Sequence, residues 1–400
     1  MKTVMLLTNS YPFGRGEPYL EPELRNFPDE MHLVILPLHG EDDGTCRFIP
    51  PNAELLPVPY VNGNAFRKLR SLFTNAFRAG VKELRSNRKY SVKTLVELWR
   101  FVYSADTIQT RIEKALFERS FSIDTDTVLY SYWMDSASLA AVQLKKYGAM
   151  AICRAHGADL YDERTLWGHQ FLRSYLAEKM DQVYAVSEVG KRYLQQRVVQ
   201  HEKISCAHLG VTDHGKAPYV SDGVLRIVSC SAVISLKRLD LIVCVLSQLK
   251  FPFYWTHIGD GPELAQITAM ARESLPESSF SFLGSMTNIE VHHYYQTTSV
   301  SVFVNASETE GLPVSIMEAI SYGIPVIATD VGGTKEIVYD NEVGFLVKND
   351  HALEGLLQKL NKVYSMRHED YLQLRENARK FFLEDWDAKD VFRRFYDNLQ

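Results

Sequence analysis

Two carboxylates that a turn and a helix would hold close together are the most informative feature of the sequence. Glu310 and Glu318 are separated by seven residues, and Gly311 and Pro313 lie between them. Glycine permits a tight turn and proline suits the first turn of a helix, so we predict a helix over residues 312–322. The amide groups exposed at the start of a helix favour an anion. A phosphate site flanked by two carboxylates is typical of a ligand with many hydroxyls, such as a sugar nucleotide.

Short apolar segments that would form strands alternate with segments of helical periodicity in both halves of the chain. Because their apolar character is nearly continuous, we expect parallel sheets covered on both faces, in an α/β fold. Ligands of such sheets bind beyond the carboxyl ends of the strands, so two domains of this kind would form a site in the cleft between them. The predicted strands are residues 3–7, 33–36, 127–130, 149–153 and 183–186, then 225–229, 254–258, 280–283, 300–304, 326–328 and 344–347.

Length and composition restrict the class of protein. The 400 residues suffice for two domains, and a formal net charge of -5 argues against a nucleic-acid partner. The five cysteines show neither metal-ligand spacing nor a disulfide framework, which is typical of a reducing compartment. We find no secretory signal and no apolar run of about 18 residues, so we predict a cytoplasmic protein without a membrane-spanning helix.

The segment from Glu310 to residue 333 resembles the E-x(7)-E signature of the retaining family 4 glycosyltransferases. A pair of glutamates at this spacing is a weak signal, but the string E-G-L-P-V-S-I-M-E-A-I, followed by G-x-P-V-I-A-T-x-x-G-G, is specific. The resemblance implies the GT-B fold, in which two Rossmann-like domains face each other across a cleft and the C-terminal helix crosses back to the N-domain. We therefore predict an acceptor-binding domain at 1–210, a linker at 211–223, a nucleotide-sugar-binding domain at 224–380 and a crossover helix at 381–400.

The resemblance also implies roles for residues of the second half. Glu318 would hold the ribose hydroxyls, Glu310 would contact the transferred sugar, and Lys237, after a predicted strand, would bind the diphosphate. The family commonly has an arginine at the position of Ala232, so we expect Arg238 to supply that charge. The other predicted donor-binding residues lie in neighbouring loops: Gly14, Gly16, Gly284, Met286, Gly311, Leu312 and Pro313.

His156 is the predicted catalytic residue of the first half. It lies in R-A-H-G-A-D, which resembles the family segment whose histidine faces the transferred sugar, and with Glu310 and Lys237 it completes the predicted catalytic set. In the family's usual account the leaving diphosphate takes the acceptor proton, so we expect retention of configuration and no cofactor. We also expect no metal, because Asp124 and Asp126 precede a strand at the end opposite the expected site.

Residues 61–100 carry ten Lys or Arg against two Glu, with apolar residues interleaved at helical spacing. Two interpretations stay open: a pair of helices packed on the N-domain with a solvated basic face, or a contact with anionic membrane lipid or a lipid-diphosphate acceptor at the inner membrane face.

The sequence thus predicts a retaining glycosyltransferase that moves a sugar from a nucleotide-diphosphate sugar to a glycan or lipid-linked acceptor in surface polysaccharide synthesis. The alternatives are a nucleotide-sugar epimerase of the same fold, which would release free product, and a non-catalytic sugar-nucleotide-binding protein.

Overall fold

The computed structural model describes residues 1–14, 16–39, 46–61 and 64–399, and in it the chain forms two compact units. Unit 1 comprises Met1–His208 and Phe392–Gln400, and unit 2 comprises Leu209–Val391. Each unit is built on a single sheet whose strand pairs are all parallel in the described ranges. The predicted α/β class with two Rossmann-like domains is therefore confirmed.

The sheet of unit 1 has the strand order β3-β2-β1-β4-β5-β6-β7. The chain adds strands outward from β1 on one side and then resumes at β4 on the other, so the order reverses between β1 and β4. Ligands of open α/β sheets bind at such a reversal. The strands are β1 (Thr3–Thr8), β2 (His32–Pro37), β3 (Ala53–Leu55), β4 (Thr127–Ser131), β5 (Met150–Ala155), β6 (Gln182–Ala185) and β7 (Ile204–Cys206). The helices are α1 (Leu20–Arg25), α2 (Ala65–Ser71), α3 (Asn75–Ser86), α4 (Val92–Glu118), α5 (Ser136–Leu144), α6 (Arg173–Lys179) and α7 (Glu188–Gln195).

The sheet of unit 2 has the order β10-β9-β8-β11-β12-β13, so the equivalent reversal lies between β8 and β11. Its strands are β8 (Leu225–Cys230), β9 (Phe253–Ile258), β10 (Phe280–Phe282), β11 (Val302–Asn305), β12 (Val326–Thr329) and β13 (Gly344–Val347). Its helices are α8 (Leu239–Leu246), α9 (Leu264–Ser274), α10 (Asn288–Thr297), α11 (Val314–Ser321), α12 (Thr334–Ile337), α13 (Ala352–Tyr364) and α14 (His368–Asp385), followed by α15 (Ala388–Asp397).

The strands form where the sequence is apolar on both faces. In β1, for example, all residues from Val4 to Leu7 are buried, and the strand lies in the middle of its sheet. Each predicted strand is present, with ends that differ by at most two residues. The strands β3 and β7 were not predicted. They have three residues each, are largely half-buried or exposed and lie at the two edges of the sheet, so neither shows an apolar run.

The last helix, α15, begins in unit 2 and belongs to unit 1 from Phe392 onward. Its Tyr396 hydroxyl donates to Oε1 of Glu23 at 3.0 Å, and the Phe395 ring lies 4.4 Å from the Arg154 guanidinium carbon. Arg154 and Glu23 form an ion pair of 2.7 Å with both side chains fully buried. The C-terminal segment therefore completes the core of the N-terminal unit.

The basic stretch at residues 61–100 is helical, as predicted, and supplies α2, α3 and the start of α4. Residues 62 and 63 of that stretch lie outside the described ranges. Among the helices the structure describes, none is both long and apolar enough to span a bilayer.

Candidate functional site

An ion pair between Lys237 and Glu310 lies at the strand-order reversal of unit 2. Lys237 follows β8 and Glu310 follows β11, and the lysine Nζ is 2.5 Å from Oε1 of the glutamate. Asn305 donates to the same oxygen at 3.2 Å. Burial alone would raise the pKa of Glu310, but the Lys237 ammonium holds it below its ordinary value, so the carboxylate is ionised. Two of the predicted catalytic residues are therefore in contact, at the place where such sheets bind ligands.

Glu318 lies in the second turn of α11, which spans Val314–Ser321 inside the predicted 312–322. Its carboxyl is buried, and Oε1 accepts a hydrogen bond of 2.8 Å from Asn288. Burial raises the pKa of Glu318 to about 7, although the Asn288 bond opposes that rise. When ionised, such a carboxylate can accept hydrogen bonds from two neighbouring hydroxyls.

Asn288 is a site residue that was not predicted from the sequence. It is the first residue of α10, whose start is fixed by reciprocal hydrogen bonds between Thr287 and Glu290. The spacing T-x-x-E could have located this helix start, but it carries no information on the contact with a residue 30 positions away.

Gly332 and Gly333 pack on the turn that carries Glu310. A Cβ atom on Gly332 would lie 1.8 Å from the carbonyl oxygen of Glu310, and the Gly333 amide donates to the carbonyl of Gly311 at 2.9 Å. The absence of side chains here lets the loop after β12 pack directly on the Glu310 turn and hold it in place.

Arg238 is directed toward the protein backbone. Its Nε donates to the carbonyl of Ala306 at 2.6 Å, and its Nη2 donates to the carbonyl of Ser307 and to Oδ1 of Asn349. In this structure the guanidinium therefore holds the loop that leaves β11. We expected the Arg238 charge to replace the arginine that the family has at the position of Ala232, but here that charge is engaged with the loop. Arg238 remains a predicted donor ligand only if these bonds rearrange.

The loops after β9 and β10 are joined through two glycines. The Gly259 amide donates to the carbonyl of Gly284 at 2.8 Å, and both residues have positive φ. A Cβ on Gly259 would meet the Ser231 carbonyl at 1.8 Å, whereas one on Gly284 would meet no atom within 4 Å. Gly259 is thus required for packing, while Gly284 and the half-buried Met286 border open space.

The remaining predicted donor residues of unit 2 surround the start of α11. Gly311, Leu312 and Pro313 are buried, and Pro313 immediately precedes the helix. They therefore fix the turn that carries Glu310 into α11.

His156 occupies the equivalent region of unit 1, after β5. It is buried, and the rings of Tyr132 and Trp133 lie 4.8 Å and 4.6 Å from its imidazole. Its Nε2 is 3.0 Å from the carbonyl oxygen of Tyr132. Because a carbonyl can only accept, we assign the proton to Nε2, which leaves Nδ1 as the acceptor of the ring. Burial, with help from Arg154, lowers the pKa of His156 to about 3, so the ring is neutral near pH 7.

Asp159 holds the loop that carries His156. Its Oδ1 accepts from the His156 amide at 2.6 Å, and its Oδ2 accepts from the Met134 amide at 2.8 Å. It therefore ties the loop after β5 to the loop after β4, and explains why aspartate suits the last position of R-A-H-G-A-D.

Glu17 is the second residue that was not predicted from the sequence. Its carboxylate accepts hydrogen bonds of 2.9 Å from three consecutive amides, those of residues 9 to 11, and one of 2.8 Å from the Trp133 indole. It therefore organises the loop after β1 and joins it to the loop after β4. Glutamate directly after G-x-G was a visible feature, but its partners are mainly backbone groups that no side-chain pattern reveals.

The predicted glycines of the first loop lie beside this carboxylate. Gly14 has φ of +62°, and a Cβ added to it would meet no atom within 4 Å, whereas a Cβ on Gly16 would meet the Ser10 hydroxyl at 2.8 Å. Arg15, between them, lies outside the described residues. Gly14 thus permits an open, left-handed turn, whereas Gly16 is needed for close packing.

Asp124 and Ser187 of unit 1 stabilise a turn and a helix start, respectively. Asp124 accepts hydrogen bonds from the amide of Asp126 and the hydroxyl of Thr127, in a turn that enters β4. Ser187 caps α7 by accepting from the amide of Gly190 at 3.0 Å. The D-x-D motif therefore lies before its strand, away from the carboxyl edge of the sheet.

The described residues thus form two clusters, each inside its own unit. The cluster of unit 2 offers a cation and two carboxyl groups, which suits a phosphate and a set of hydroxyls. The cluster of unit 1 offers a neutral imidazole acceptor in an aromatic wall, which suits the face and hydroxyls of a sugar.

Comparison with known proteins finds a family model that matches the region of the unit 2 cluster. Residues 219–381 match the family model described as Glycosyl transferases group 1. The O-antigen biosynthesis glycosyltransferase WbnH of Escherichia coli is 32% identical over 154 residues, which cover 38% of this chain and 40% of that protein. The putative colanic acid biosynthesis glycosyltransferase WcaL of E. coli K12 is 24% identical over 277 residues, or 66% of this chain and 68% of that protein. The alignment thus spans less than half the length of WbnH.

Solved structures resemble the whole chain. The lipopolysaccharide outer core galactosyltransferase WaaB, in its apo form, superposes with a TM-score of 0.69 at 16% identity, over 100% of this chain and 99% of that one. HepE from Anabaena, in complex with UDP and glucose, gives a TM-score of 0.69 at 14% identity with the same coverage. At these identities the likeness concerns the fold, and it confirms the GT-B class.

Proposed function

Because residues 219–381 form a group 1 glycosyl transferase domain, we propose that this protein transfers a sugar from a nucleotide-diphosphate sugar to a glycan or lipid-linked acceptor. The observation that carries the proposal is the constellation of Lys237, Glu310 and Glu318 at the reversal between β8 and β11. A lysine ammonium suits a diphosphate, and carboxylates suit hydroxyls but repel phosphate.

Donor binding would proceed by an exchange of partners at the ion pair. Lys237 exchanges the Glu310 carboxylate for the diphosphate, and Glu310 then accepts from hydroxyls of the transferred sugar. Each charge-assisted hydrogen bond of this kind contributes roughly 1.5–3 kcal/mol. Glu318 and its partner Asn288 take the ribose hydroxyls.

We further propose that transfer retains the anomeric configuration and needs no metal. Glu310 is ionised and paired with Lys237 in the free protein, and once donor is bound it accepts from hydroxyls of the transferred sugar, so we assign it to holding the sugar and not to nucleophilic attack. The leaving diphosphate would take the acceptor proton on the same face, while Lys237 stabilises the charge that develops on it. His156, neutral and accepting at Nδ1, would orient a substrate hydroxyl and would not act as a proton donor.

We assign the acceptor to surface polysaccharide synthesis at the cytoplasmic side of a membrane. The support is the functions of the relatives named above, which include O-antigen and colanic acid biosynthesis. HepE, solved with UDP and glucose, supports the same class of donor. A lipid-linked acceptor would also give a function to a peripheral membrane contact through residues 61–100.

A panel of nucleotide sugars tests the proposal. One or more donors should raise the melting temperature of the protein and be slowly hydrolysed to the nucleoside diphosphate. Lys237→Ala should abolish both effects, whereas Lys250→Ala, an exposed lysine of the same unit, should leave them unchanged. An epimeric nucleotide sugar as sole product would favour the epimerase alternative. If the wild-type protein binds no nucleotide sugar of the panel, the proposed use of such a donor is refuted.

A further inference from the structure

Helix α2 and the turn after it expose an unusual number of large apolar side chains. Phe66, Leu69 and Phe73 are 73%, 58% and 65% exposed, and Leu72 is 37% exposed. Residues 66, 69 and 73 are spaced so that they fall on one side of a helical path. We call these four residues the α2 surface.

Helix α3, in the same basic stretch, behaves differently. Its Ala76 and Leu84 are buried, Phe77 packs on the core of unit 1, and a Cβ on Gly80 would collide with Leu98. The structure therefore separates the two interpretations of residues 61–100. The apolar side of α3 is covered by the protein itself, whereas the apolar side of α2 faces solvent in the described part of the chain.

The α2 surface belongs to an ordered helix. Asn64 caps its start by accepting from the amide of Phe66 at 2.9 Å. The indole of Trp99 on α4 donates to the carbonyl of Lys68 at 3.1 Å. Its exposed apolar residues are thus held outward by a helix that is anchored on its other side.

The charged residues of α2 indicate which kind of partner the α2 surface would bind. Lys68 and Arg70 are exposed beside the apolar residues, whereas Arg67 is half-buried with its Nη1 enclosed by the protein, and residues 64–74 contain no Asp or Glu. Clustered cations beside exposed aromatic and aliphatic side chains match a surface that is anionic outside and apolar beneath, as the headgroup and acyl layers of a bilayer are. The core of an ordinary protein–protein interface is depleted in charged residues, whereas here the exposed apolar residues alternate with cations, so such an interface fits less well.

Helix α2 is also connected to the part of unit 1 that carries the His156 cluster. Helix α4, which holds α2 through Trp99, bonds to the start of α5 by the hydroxyls of Ser104 and Ser136, 3.1 Å apart. Helix α5 follows the loop after β4, and that loop contacts His156. The α2 surface therefore connects through one helix to the edge of unit 1 that carries its site cluster.

We propose that the α2 surface docks on a bilayer rich in anionic lipid, with Phe66, Leu69 and Phe73 inserted between headgroups and Lys68 and Arg70 at the level of the phosphates. The docking rests on the proposed function only for the lipid-linked acceptor it would bring close. It does not require transfer chemistry, so it can fail or succeed independently of donor use.

Co-sedimentation with vesicles tests the insertion. The protein should bind vesicles that contain about one third phosphatidylglycerol and not vesicles of phosphatidylcholine alone. Phe66→Ser, Leu69→Ser and Phe73→Ser together should weaken binding by roughly 100-fold or more. The matched control is the triple change Phe117→Ser, Leu166→Ser and Ile289→Ser, which removes apolar residues that are even more exposed elsewhere and should have no effect.

A charge variant tests the electrostatic part. Lys68→Gln and Arg70→Gln together should lower the affinity by about fivefold for each cation removed. Raising salt from about 0.1 M to about 1 M should weaken wild-type binding steeply, because the screening length falls from about 10 Å to about 3 Å. Changing Lys250, Arg272 and Lys380, exposed cations of unit 2, to Gln is the control.

A third measurement reports depth directly. In the variant Phe66→Trp, the emission of the introduced indole should shift to the blue on anionic vesicles and should be quenched by brominated acyl chains. Circular dichroism establishes that every variant is folded, and donor-induced stabilisation checks unit 2 separately. The proposal is overturned if the wild-type protein binds no vesicles. It is also overturned if the α2 variants and the control variants bind vesicles equally well. Self-association that only the α2 variants lose would assign the surface to a second copy of the chain and also overturn it.

Discussion

Glu318 should destabilise the free protein at neutral pH, and removing its charge should reveal by how much. Its pKa is about 7 in the folded protein because the carboxyl is buried, against an ordinary value of 4.5. Below pH 4.5 the group is neutral in both states and has no effect on stability. Between pH 4.5 and 7 the carboxyl ionises in the unfolded chain but not yet in the folded protein. This stabilises the unfolded state relative to the folded state by 1.36 kcal/mol per pH unit, up to about 3 kcal/mol. Above pH 7 the penalty is constant.

Glu318→Gln keeps the shape of the side chain and an oxygen that can accept from Asn288. We expect it to raise the free energy of unfolding by about 1 kcal/mol at about pH 5.5 and by about 3 kcal/mol at about pH 8.5. Urea denaturation at the two pH values measures both gains, and hydrogen exchange in β11 and β12 assigns them to unit 2. Glu277→Gln, at an exposed position of the same unit, is the control and should change neither value appreciably.

The contrast between the two pH values is the decisive quantity. A gain that is equal at both would mean that the burial of Glu318 does not perturb its ionisation. A loss of stability at about pH 8.5 would mean that the ionised carboxylate is favourably solvated or paired in the fold, and the reasoning would be wrong. The same variant should bind donor more weakly, so stability and function are expected to change in opposite directions.

Four more outcomes are expected. Affinity for a nucleotide sugar, whose diphosphate diester does not itself titrate near neutrality, should rise about tenfold from pH 6 to pH 8 as Glu318 ionises, and calorimetry should show this pH dependence vanish in Glu318→Gln. Lys237→Ala should weaken binding of the nucleoside diphosphate more than that of the nucleoside, whereas Arg238→Ala should mainly lower the melting temperature; equal losses for the two ligands in Lys237→Ala would contradict its phosphate role. Glu23→Ala leaves the Arg154 charge buried and unpaired, so it should lower the free energy of unfolding by about 3–5 kcal/mol by urea denaturation, and a loss below about 1 kcal/mol would count against that pair. Turnover should persist in chelator because Lys237 serves the diphosphate, and activity restored only by added divalent metal would refute this.

The strands and the α11 helix could be predicted because their information is local. An apolar run with both faces buried is visible in six or so consecutive residues, and the turn before α11 is carried by Gly311 and Pro313. The short edge strands β3 and β7 were not visible, since their backbone pairing supplies what their side chains do not.

The details of the candidate site depend on contacts between distant positions. Lys237 and Glu310 are 73 residues apart in sequence, and Asn288 meets Glu318 only after α10 and α11 have packed. Backbone packing was also hidden: Gly332 is glycine because it lies against the Glu310 carbonyl. Residue types and spacing therefore indicated which groups form the site, but not which of them pair in the free protein.

The return of the C-terminal segment to unit 1 has a consequence for biosynthesis. Translation proceeds from the N-terminus, so residues 1–208 leave the ribosome before any of unit 2, and Tyr396 emerges only after it. Until then Glu23 and Arg154 lack the aromatic cover that Phe395 and Tyr396 provide. Domains ordinarily fold in the order in which they are made. The first domain to be synthesised therefore lacks part of its core until Phe392–Gln400 have been made, and during that interval it exposes apolar surface of the kind that promotes aggregation.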